Sequence, residues 1–164
     1  MTEILAALQR EFSRSGREDK PATSILADID HCKRVNDSLG HGAGDEVLKE
    51  VAKRLKSDLR PYDVVGGYGG EEFLIILPGC DLTVGARRAN EIRSLVARNP
   101  IQTPAGKAAV TLSMGVTVTS SARDHTISDV LREADVSQYE AKKNGRSHVE
   151  VFSLAARRNA AAQN

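Results

Sequence analysis

The chain has 164 residues, of which 40% are hydrophobic and 27% charged, enough for one domain with a real core and too few for two ordinary domains. Its 23 basic and 22 acidic residues leave a formal net charge of +1, which excludes the strong global field found in binders of nucleic-acid polymers or membrane surfaces. The two cysteines, Cys32 and Cys80, fit neither a disulfide framework nor a zinc motif, which favours a reducing compartment.

The N-terminal segment predicts a helix followed by a buried strand. Apolar residues recur at helical spacing at Ile4, Leu5, Leu8 and Phe12. The segment from Gly16 to Pro21 breaks this pattern, and Thr23 to Ala27 begins the strand. We expect residues 1–20 to form an N-terminal helix and loop within a single domain over residues 1–154. No apolar run reaches the roughly 18 residues of a membrane span, so a cytoplasmic domain is expected.

The other elements predict a mixed fold. They are a helix from about Gly44 to Leu59, strands over Asp63–Tyr68 and Phe73–Leu77, a helix from about Leu82 to Arg98, a strand over Ala109–Thr119, a helix over Ile127–Lys143 and a strand over His148–Phe152. A loop connects the first strand to the first of these helices, and the tail over residues 155–164 is expected to be disordered. The order β-α-β-β-α-β, with extra elements at both ends, predicts an α+β fold with a ferredoxin-like core and helices on one face of its sheet.

The segment Gly69-Gly70-Glu71-Glu72 separates the two strands of the predicted hairpin. Two glycines suit a tight turn, because glycine reaches positive φ without steric cost, and the turn then presents two carboxylates. Asp28 and Asp30 end the first strand, which is adjacent to the hairpin in such a core, so we expect all these carboxylates to converge. Carboxylates at neighbouring strand ends, with a backbone carbonyl between them, suit Mg²⁺. The alternative is two surface loops with unrelated acids.

Two separated motifs resemble one protein family. The stretch from Asp28 to Asp45, together with the Gly-Gly-Glu-Glu-Phe motif at residues 69–73, is similar to the GGDEF family of diguanylate cyclases. The resemblance spans about Ser24 to Phe152, and several motifs agree in order and spacing. It implies a fold like that of nucleotidyl cyclases and polymerase palm domains.

The resemblance implies an enzyme of bacterial signalling that joins two GTP molecules into cyclic di-GMP and releases two pyrophosphates. The side chains of Asp28 and Glu71 and the carbonyl of Ile29 would bind Mg²⁺, with Mn²⁺ as an alternative. Glu72 would complete the acidic cluster, and Lys33 joins these acids among the expected catalytic residues. Each subunit would hold one GTP, so a homodimer is expected to be required for catalysis.

The resemblance also implies how GTP is bound. Asn36 and Asp45 would recognise guanine, because a carboxylate accepts from its N1–H and exocyclic amine while an amide pairs with the remaining edge. On local sequence alone, Asn36 is as well explained as a turn residue, and Asp45 as a charge in the first turn of a helix, as either is by guanine binding. The expected phosphate contacts are Lys33, Lys142, Arg146 and the backbone amides of His31 and Cys32. Lys142 and Arg146 could share one helical face, whereas cations at a helix end ordinarily complement its dipole.

The segment from Arg60 to Asp63 matches the spacing of the family's RxxD inhibitory site. In that site, an arginine and an aspartate bind cyclic di-GMP, and bound product restrains the enzyme. Arginine suits this role because its fork pairs bidentately with phosphate or with the Hoogsteen edge of guanine. Arg87 and Arg88 on the next helix are candidates for further product contacts. The alternative is a charged helix end followed by a turn.

Two positions depart from the family pattern. Cys32 lies where phenylalanine is usual and loses aromatic volume beside the nucleotide. Gly67 lies where arginine is usual and removes a cation near the turn. Reduced activity is therefore expected, and a weakly catalytic module that binds GTP or cyclic di-GMP is the alternative function. A different nucleotidyl cyclase on a related core is disfavoured by Asn36 and Asp45.

The chain also lacks the segment that commonly opens the family domain. This suggests that a regulatory or dimerising domain is missing. We therefore expect the cytosolic part of a larger signalling protein, which could be membrane-bound.

Overall fold

The computed structural model describes residues 1–119 and 125–152. Within these ranges, the helices are α1 (Thr2–Glu18), α2 (Cys32–Leu39), α3 (His41–Asp58), α4 (Leu82–Ala97) and α5 (Ile127–Lys143). The strands are β1 (Ala22–Ile29), β2 (Val64–Gly69), β3 (Glu72–Pro78), β4 (Ile101–Thr103), β5 (Gly106–Ala108), β6 (Leu112–Val118) and β7 (Val149–Val151). The tail predicted over residues 155–164 lies outside the described residues, and the single domain over residues 1–154 stays a prediction.

Five strands form the main sheet in the spatial order β2-β3-β1-β6-β7. Strand β7 pairs with β6 in parallel, and the other neighbouring pairs are antiparallel. The elements β1-α3-β2-β3-α4-β6 give the ferredoxin-like core, to which α1, α2, α5, β7 and the β4–β5 hairpin are added. The prediction of an α+β fold with this core is confirmed.

Helices cover both faces of the sheet, which corrects the one-sided arrangement predicted from the sequence. On one face, Ile25 of β1 packs in a core with Val51 of α3 and Ile92 of α4. On the other face, Leu74 of β3 belongs to a second apolar cluster with α1 and α5. Strand β1 is buried along its whole length, and a strand buried on both sides needs a layer on each side.

A short helix, α2, forms where the sequence predicts a loop. Its apolar residues Cys32, Val35 and Leu39 fall at helical spacing and pack in or against the main core, but a helix of eight residues has too few turns for that pattern to be distinctive in the sequence. Gly40, with a φ of 86°, separates α2 from α3, which begins at His41 rather than near Gly44. The β4–β5 hairpin is likewise absent from the sequence prediction, because strands of three residues show too little alternation.

The helix α5 has the predicted bounds, Ile127–Lys143. It begins with a capping box in which Thr126 and Asp129 exchange hydrogen bonds. Strand β6 begins at Leu112, inside the predicted strand. Within the ranges that the structure describes, none of the helices is long and apolar enough to cross a membrane.

Candidate active site

The turn between β2 and β3 meets the end of β1. Asp28 lies opposite Glu72 in the antiparallel pairing of β1 with β3. The backbone N–H of Ile29 donates to the carbonyl of Glu71 at 3.3 Å. The structure therefore brings Asp28, Glu71 and Glu72, here called the acidic cluster, to one end of the sheet.

Asp30 does not join the acidic cluster, contrary to the sequence prediction. Its buried carboxylate accepts hydrogen bonds from the hydroxyls of Thr111 and Ser113 and from the backbone N–H of Ser147. These four residues are here called the Asp30 network. Thr111 immediately precedes β6 and Ser113 lies in β6 beside β1, more than 80 residues from Asp30, so no local sequence pattern indicates the network.

The acidic cluster is electrostatically perturbed at Asp28, which is only 6% exposed. Burial, together with the charges of Glu71 and Glu72, raises the pKa of Asp28 to about 6 against the opposing effect of Lys142. The Lys142 Nζ lies 3.0 Å from Asp28 Oδ2. A further cation at this position would favour the ionised carboxylates, so the cluster is suited to accept positive charge.

The oxygen atoms of the acidic cluster fit a hard divalent cation. Mg²⁺ prefers oxygen ligands, keeps several waters and needs only one or two carboxylates together with substrate phosphates. In residues 1–119 and 125–152, no three His, Cys, Asp or Glu side chains are placed so that together they could hold a metal ion. Because a Mg²⁺ ion in a phosphate-transfer site is completed by its substrate, Asp28, Glu71 and the Ile29 carbonyl stay predicted ligands.

The two departures from the family pattern both lie near this cluster. Cys32 is buried at the start of α2, and burial, together with the charges of Glu71 and Asp28, raises the pKa of its thiol to about 11. The thiol is therefore neutral near pH 7 and behaves as a small apolar group. Gly67 is exposed on β2, and a Cβ there would meet no described heavy atom within 4 Å. A longer side chain therefore has room at this position.

The predicted guanine contacts lie where α2 packs against α3. Asn36 of α2 contacts Gly44 so closely that a Cβ at position 44 would collide with Asn36 Oδ1. This Oδ1 is buried and has no hydrogen-bond partner among the described residues. Asp45, the next residue of α3, is exposed. A buried acceptor without a partner is costly, and a ligand with an N–H donor would relieve that cost.

The predicted phosphate-binding cations differ in exposure and do not share one helical face. Lys142 contacts Asp28 directly, whereas Lys33 and Arg146 are exposed. Because α5 ends at Lys143, Lys142 and Arg146 do not share a helical face, which corrects that expectation. Arg146 instead lies in a turn with a φ of 61°.

The remaining predicted phosphate contacts lie in the turn from β1 to α2. His31 is exposed with a φ of 59°, and its carbonyl accepts the N–H of Arg34 at 2.9 Å as α2 begins. The amides of His31 and Cys32 therefore stand at a helix N-terminus, where unpaired N–H groups favour anions.

The Arg60–Asp63 segment forms a turn closed by its own ends. The backbone N–H of Arg60 donates to Asp63 Oδ2 at 2.9 Å, and the N–H of Asp63 donates to the Arg60 carbonyl at 3.0 Å. Asp63 Oδ1 is buried and unpaired within the described part of the chain. The Arg60 guanidinium donates to the Tyr62 hydroxyl at 3.3 Å and remains exposed.

The two auxiliary arginines of α4 differ in their surroundings. Arg88 donates to the carboxylate of Asp58 at 2.8 Å and also pairs with Glu91, which ties α4 to the end of α3. Arg87 is exposed, and no hydrogen bond or ion pair joins it to the residues that the structure describes. Arg87 is therefore the more available of the two for a ligand.

Residues 2–148 match the family described as "Diguanylate cyclase, GGDEF domain". This range includes nearly all described residues, the acidic cluster and the Arg60–Asp63 turn. The chain therefore belongs to the GGDEF-domain family, as its motifs predict.

Individual relatives agree with this membership. The chain is 42% identical over 151 residues to the response regulator PleD of Caulobacter vibrioides, covering 91% of this chain and 32% of PleD. Among solved structures, it resembles the active GGEEF domain of a diguanylate cyclase from Vibrio cholerae, with a TM-score of 0.84, 33% identity and coverage of 93% of this chain and 96% of that one. It also resembles the GGDEF domain of DgcB from Caulobacter crescentus in complex with c-di-GMP, with a TM-score of 0.83, 28% identity and coverage of 90% and 85%.

The chain thus spans about a third of the length of PleD.

Proposed function

We propose that this chain is the catalytic domain of a diguanylate cyclase, which condenses two GTP into cyclic di-GMP and two pyrophosphates. The observation that carries the proposal is the meeting of Asp28, Lys142 and the acidic turn in a chain of the GGDEF family. The 3′-hydroxyl oxygen of each GTP attacks the α-phosphorus of the other. The bond to pyrophosphate breaks and the hydroxyl proton is released, and two such steps close the ring.

The roles of the site residues in this proposal follow from their chemistry. Asp28, Glu71 and the Ile29 carbonyl would hold Mg²⁺, or Mn²⁺ in its place, which when bound neutralises the triphosphate and helps to activate the 3′-hydroxyl. Glu72 would add negative potential that helps to retain the cation. The phosphates are bound by Lys33, Lys142, Arg146 and the amides of His31 and Cys32.

Asn36 and Asp45 recognise guanine in this proposal. The buried, unpaired Oδ1 of Asn36 supports it, because this acceptor can take the second N–H of the exocyclic amine of guanine, a group that adenine lacks at that position. A site that leaves a buried polar group unpaired with the wrong base discriminates strongly. GTP is therefore the expected substrate.

The assembly that performs the reaction is a homodimer, because each subunit contributes one GTP and the two must face each other. A regulatory domain outside this chain would hold the subunits together, and the isolated domain would pair only transiently at low concentration. The buried, unpaired thiols and the GTP substrate favour a cytoplasmic location.

The experiment that tests the proposal is chromatographic analysis of purified protein incubated with GTP and Mg²⁺. The chain is assayed alone at high concentration and also fused to a parallel dimeric coiled coil. Cyclic di-GMP that forms with Mg²⁺ and disappears with a chelator supports the proposal. Absence of product from the fused dimer, although GTP binds, contradicts it.

Product inhibition through the Arg60–Asp63 turn is a second part of the proposal. The unpaired Oδ1 of Asp63 and the exposed Arg60 guanidinium support it, because they offer an acceptor and a donor fork from one closed turn. Arg60→Ala should weaken cyclic di-GMP binding roughly tenfold or more by calorimetry. Arg60→Lys, which keeps the charge and loses the fork, should have an intermediate effect, and unchanged affinity in both variants would remove this site.

The alternative function is a weakly catalytic receptor for GTP or cyclic di-GMP. The open space beside Gly67 and the small Cys32 favour it, because each removes a side chain that the family usually has near the nucleotide. Binding of either nucleotide without turnover in the fused dimer would select this function.

A further inference from the structure

Asp30 joins two turns that are distant in sequence. Its carboxylate is 4% exposed, and its Oδ2 accepts the backbone N–H of Ser147 at 2.9 Å and the Thr111 hydroxyl at 2.6 Å. The Asp30 Oδ1 accepts the Ser113 hydroxyl at 2.6 Å. The backbone N–H of Asp30 also donates to the Thr111 carbonyl at 2.9 Å. The end of β1 is thereby fixed both to the start of β6 and to the turn after α5.

The two turns contain residues in an unfavourable backbone conformation. His31, which follows Asp30, has a φ of 59°, and Arg146 and Ser147 have φ values of 61° and 46°. Residues with side chains rarely adopt this left-handed region, and they remain there only when their surroundings hold them. The Asp30 network supplies such a constraint on both turns at once.

Arg93 of α4 provides a second tether to the same turn. Its Nη1 donates to both the carbonyl and the hydroxyl of Ser147, each at 3.1 Å. Ser147 is therefore held through its N–H by Asp30 and through its oxygen atoms by Arg93. Arg146, the neighbouring residue, makes its own backbone hydrogen bond to Ala141 at 3.1 Å.

We propose that Asp30 and Arg93 are positioning residues that fix the Arg146–Ser147 turn relative to the His31–Cys32 turn. On the function proposed above, both turns contact the phosphates of GTP, so their relative placement determines whether those contacts converge. Holding them in place before binding removes an ordering cost that the ligand would otherwise meet. Because its carboxylate already accepts three hydrogen bonds from the protein, Asp30 acts through these turns and does not touch the nucleotide.

The test compares Arg93→Ala with Arg54→Ala by calorimetric titration of GTP and of guanosine. Arg54 is the matched control, because its Nη1 also donates to two backbone carbonyls, those of Val96 at 2.8 Å and Asn99 at 2.7 Å, away from both turns. Arg93→Ala should weaken GTP binding roughly tenfold and leave guanosine binding unchanged. Arg54→Ala should change neither affinity, even if it lowers the thermal midpoint as much.

A double-mutant cycle with Arg146→Ala shows whether Arg93 acts through Arg146. Arg93→Ala should add little to the loss of GTP affinity in the Arg146→Ala background, because the contact that it positions is already gone. Faster hydrogen exchange of the Ser147 amide in Arg93→Ala should accompany the loss. Fully additive effects overturn the inference, and so do equal losses of GTP and guanosine affinity. In either case, GTP binding by the wild type leaves the proposed function standing. A wild-type chain that binds neither ligand overturns both.

Discussion

Two buried aspartates, two residues apart at the end of β1, have opposite surroundings. Asp30 is surrounded by hydroxyl and amide donors that fill its carboxylate. Asp28 is buried beside the like charges of Glu71 and Glu72, and Lys142 is its opposing cation. The pKa of Asp28 is raised to about 6. The difference shows that burial alone does not identify a functional acid. A carboxylate satisfied by neutral donors supports the fold, whereas one held near other carboxylates is suited to bind a cation.

The same distinction applies to other polar atoms. Asn36 Oδ1 and Asp63 Oδ1 are both buried without a hydrogen-bond partner in the described residues. One lies in the predicted guanine site and the other in the predicted product site. Arg93 Nε and Gln138 Nε2 are also buried without a partner among the described residues and lie in neither predicted site, so an unpaired atom indicates a ligand only together with the motif that surrounds it.

The largest expected effect comes from neutralising the acidic cluster. Glu71→Gln and Glu72→Gln should each reduce the rate of cyclic di-GMP formation roughly a hundredfold or more, because each removes a negative charge from the predicted metal site. Both side chains are only partly buried, so the thermal midpoint should stay close to that of the wild type. Near-normal synthesis by both variants, measured chromatographically, would break the distinction drawn between Asp28 and Asp30.

The next effect tests the unpaired acceptor of Asn36. Gly44→Ala should displace the Asn36 amide and weaken GTP binding roughly tenfold, as measured by calorimetry. Gly42→Ala is the matched control on the same helix, because a Cβ at position 42 meets no described atom within 4 Å. The control should keep GTP affinity and gain about 0.5–1 kcal/mol of stability. Equal GTP affinity in the two variants would remove Asn36 from the guanine site.

A smaller effect is expected when the cation missing at Gly67 is restored. Gly67→Arg has room at this exposed position of β2 and adds a positive charge opposite Phe73, the residue that follows Glu72. The rate of product formation should rise several-fold, because the cation would help to balance the charge of the phosphates. Gly67→Gln, a long side chain without the charge, is the control. The same increase in both variants would assign the effect to strand stiffening instead.

The smallest expected effect is on the pH dependence of stability, which tests the raised pKa that sets Asp28 apart from Asp30. In metal-free protein, a carboxyl whose pKa is raised in the fold binds its proton more readily there than in the unfolded chain. The free energy of unfolding should therefore decrease as the pH rises from about 4 to about 6 because of Asp28, and this contribution should be level outside that window. Urea unfolding of wild type and Asp28→Asn across this range should give diverging stabilities. Parallel curves would show that Asp28 is not perturbed.

The sequence predicted the core of the fold and the elements that form the acidic cluster. Continuous apolar runs and the glycine turn identified β1 and the hairpin, and their order determined that Asp28 and Glu71 would meet. The sequence did not reveal that helices cover both faces, because a run that is apolar throughout predicts burial without saying what covers each side.

The separation of Asp28 from Asp30 could not be predicted either. It depends on hydroxyl groups more than 80 residues away and on the left-handed turn at Ser147, neither of which leaves a local pattern. Helix α2 was missed although Cys32, Val35 and Leu39 are spaced for one helical face, because its eight residues hold too few turns for the pattern to stand out. Contacts between distant segments therefore set the details of the candidate site.

Turnover by Asp28→Asn tests most directly whether the acidic cluster is the catalytic centre. Wild type and variant, both fused to the dimeric coiled coil, are incubated with GTP and Mg²⁺, and cyclic di-GMP is quantified over time. We predict product from the wild type and at least roughly a hundredfold less from Asp28→Asn, which keeps the shape of the side chain and loses its charge. Equal rates of cyclic di-GMP formation from both proteins would contradict the account.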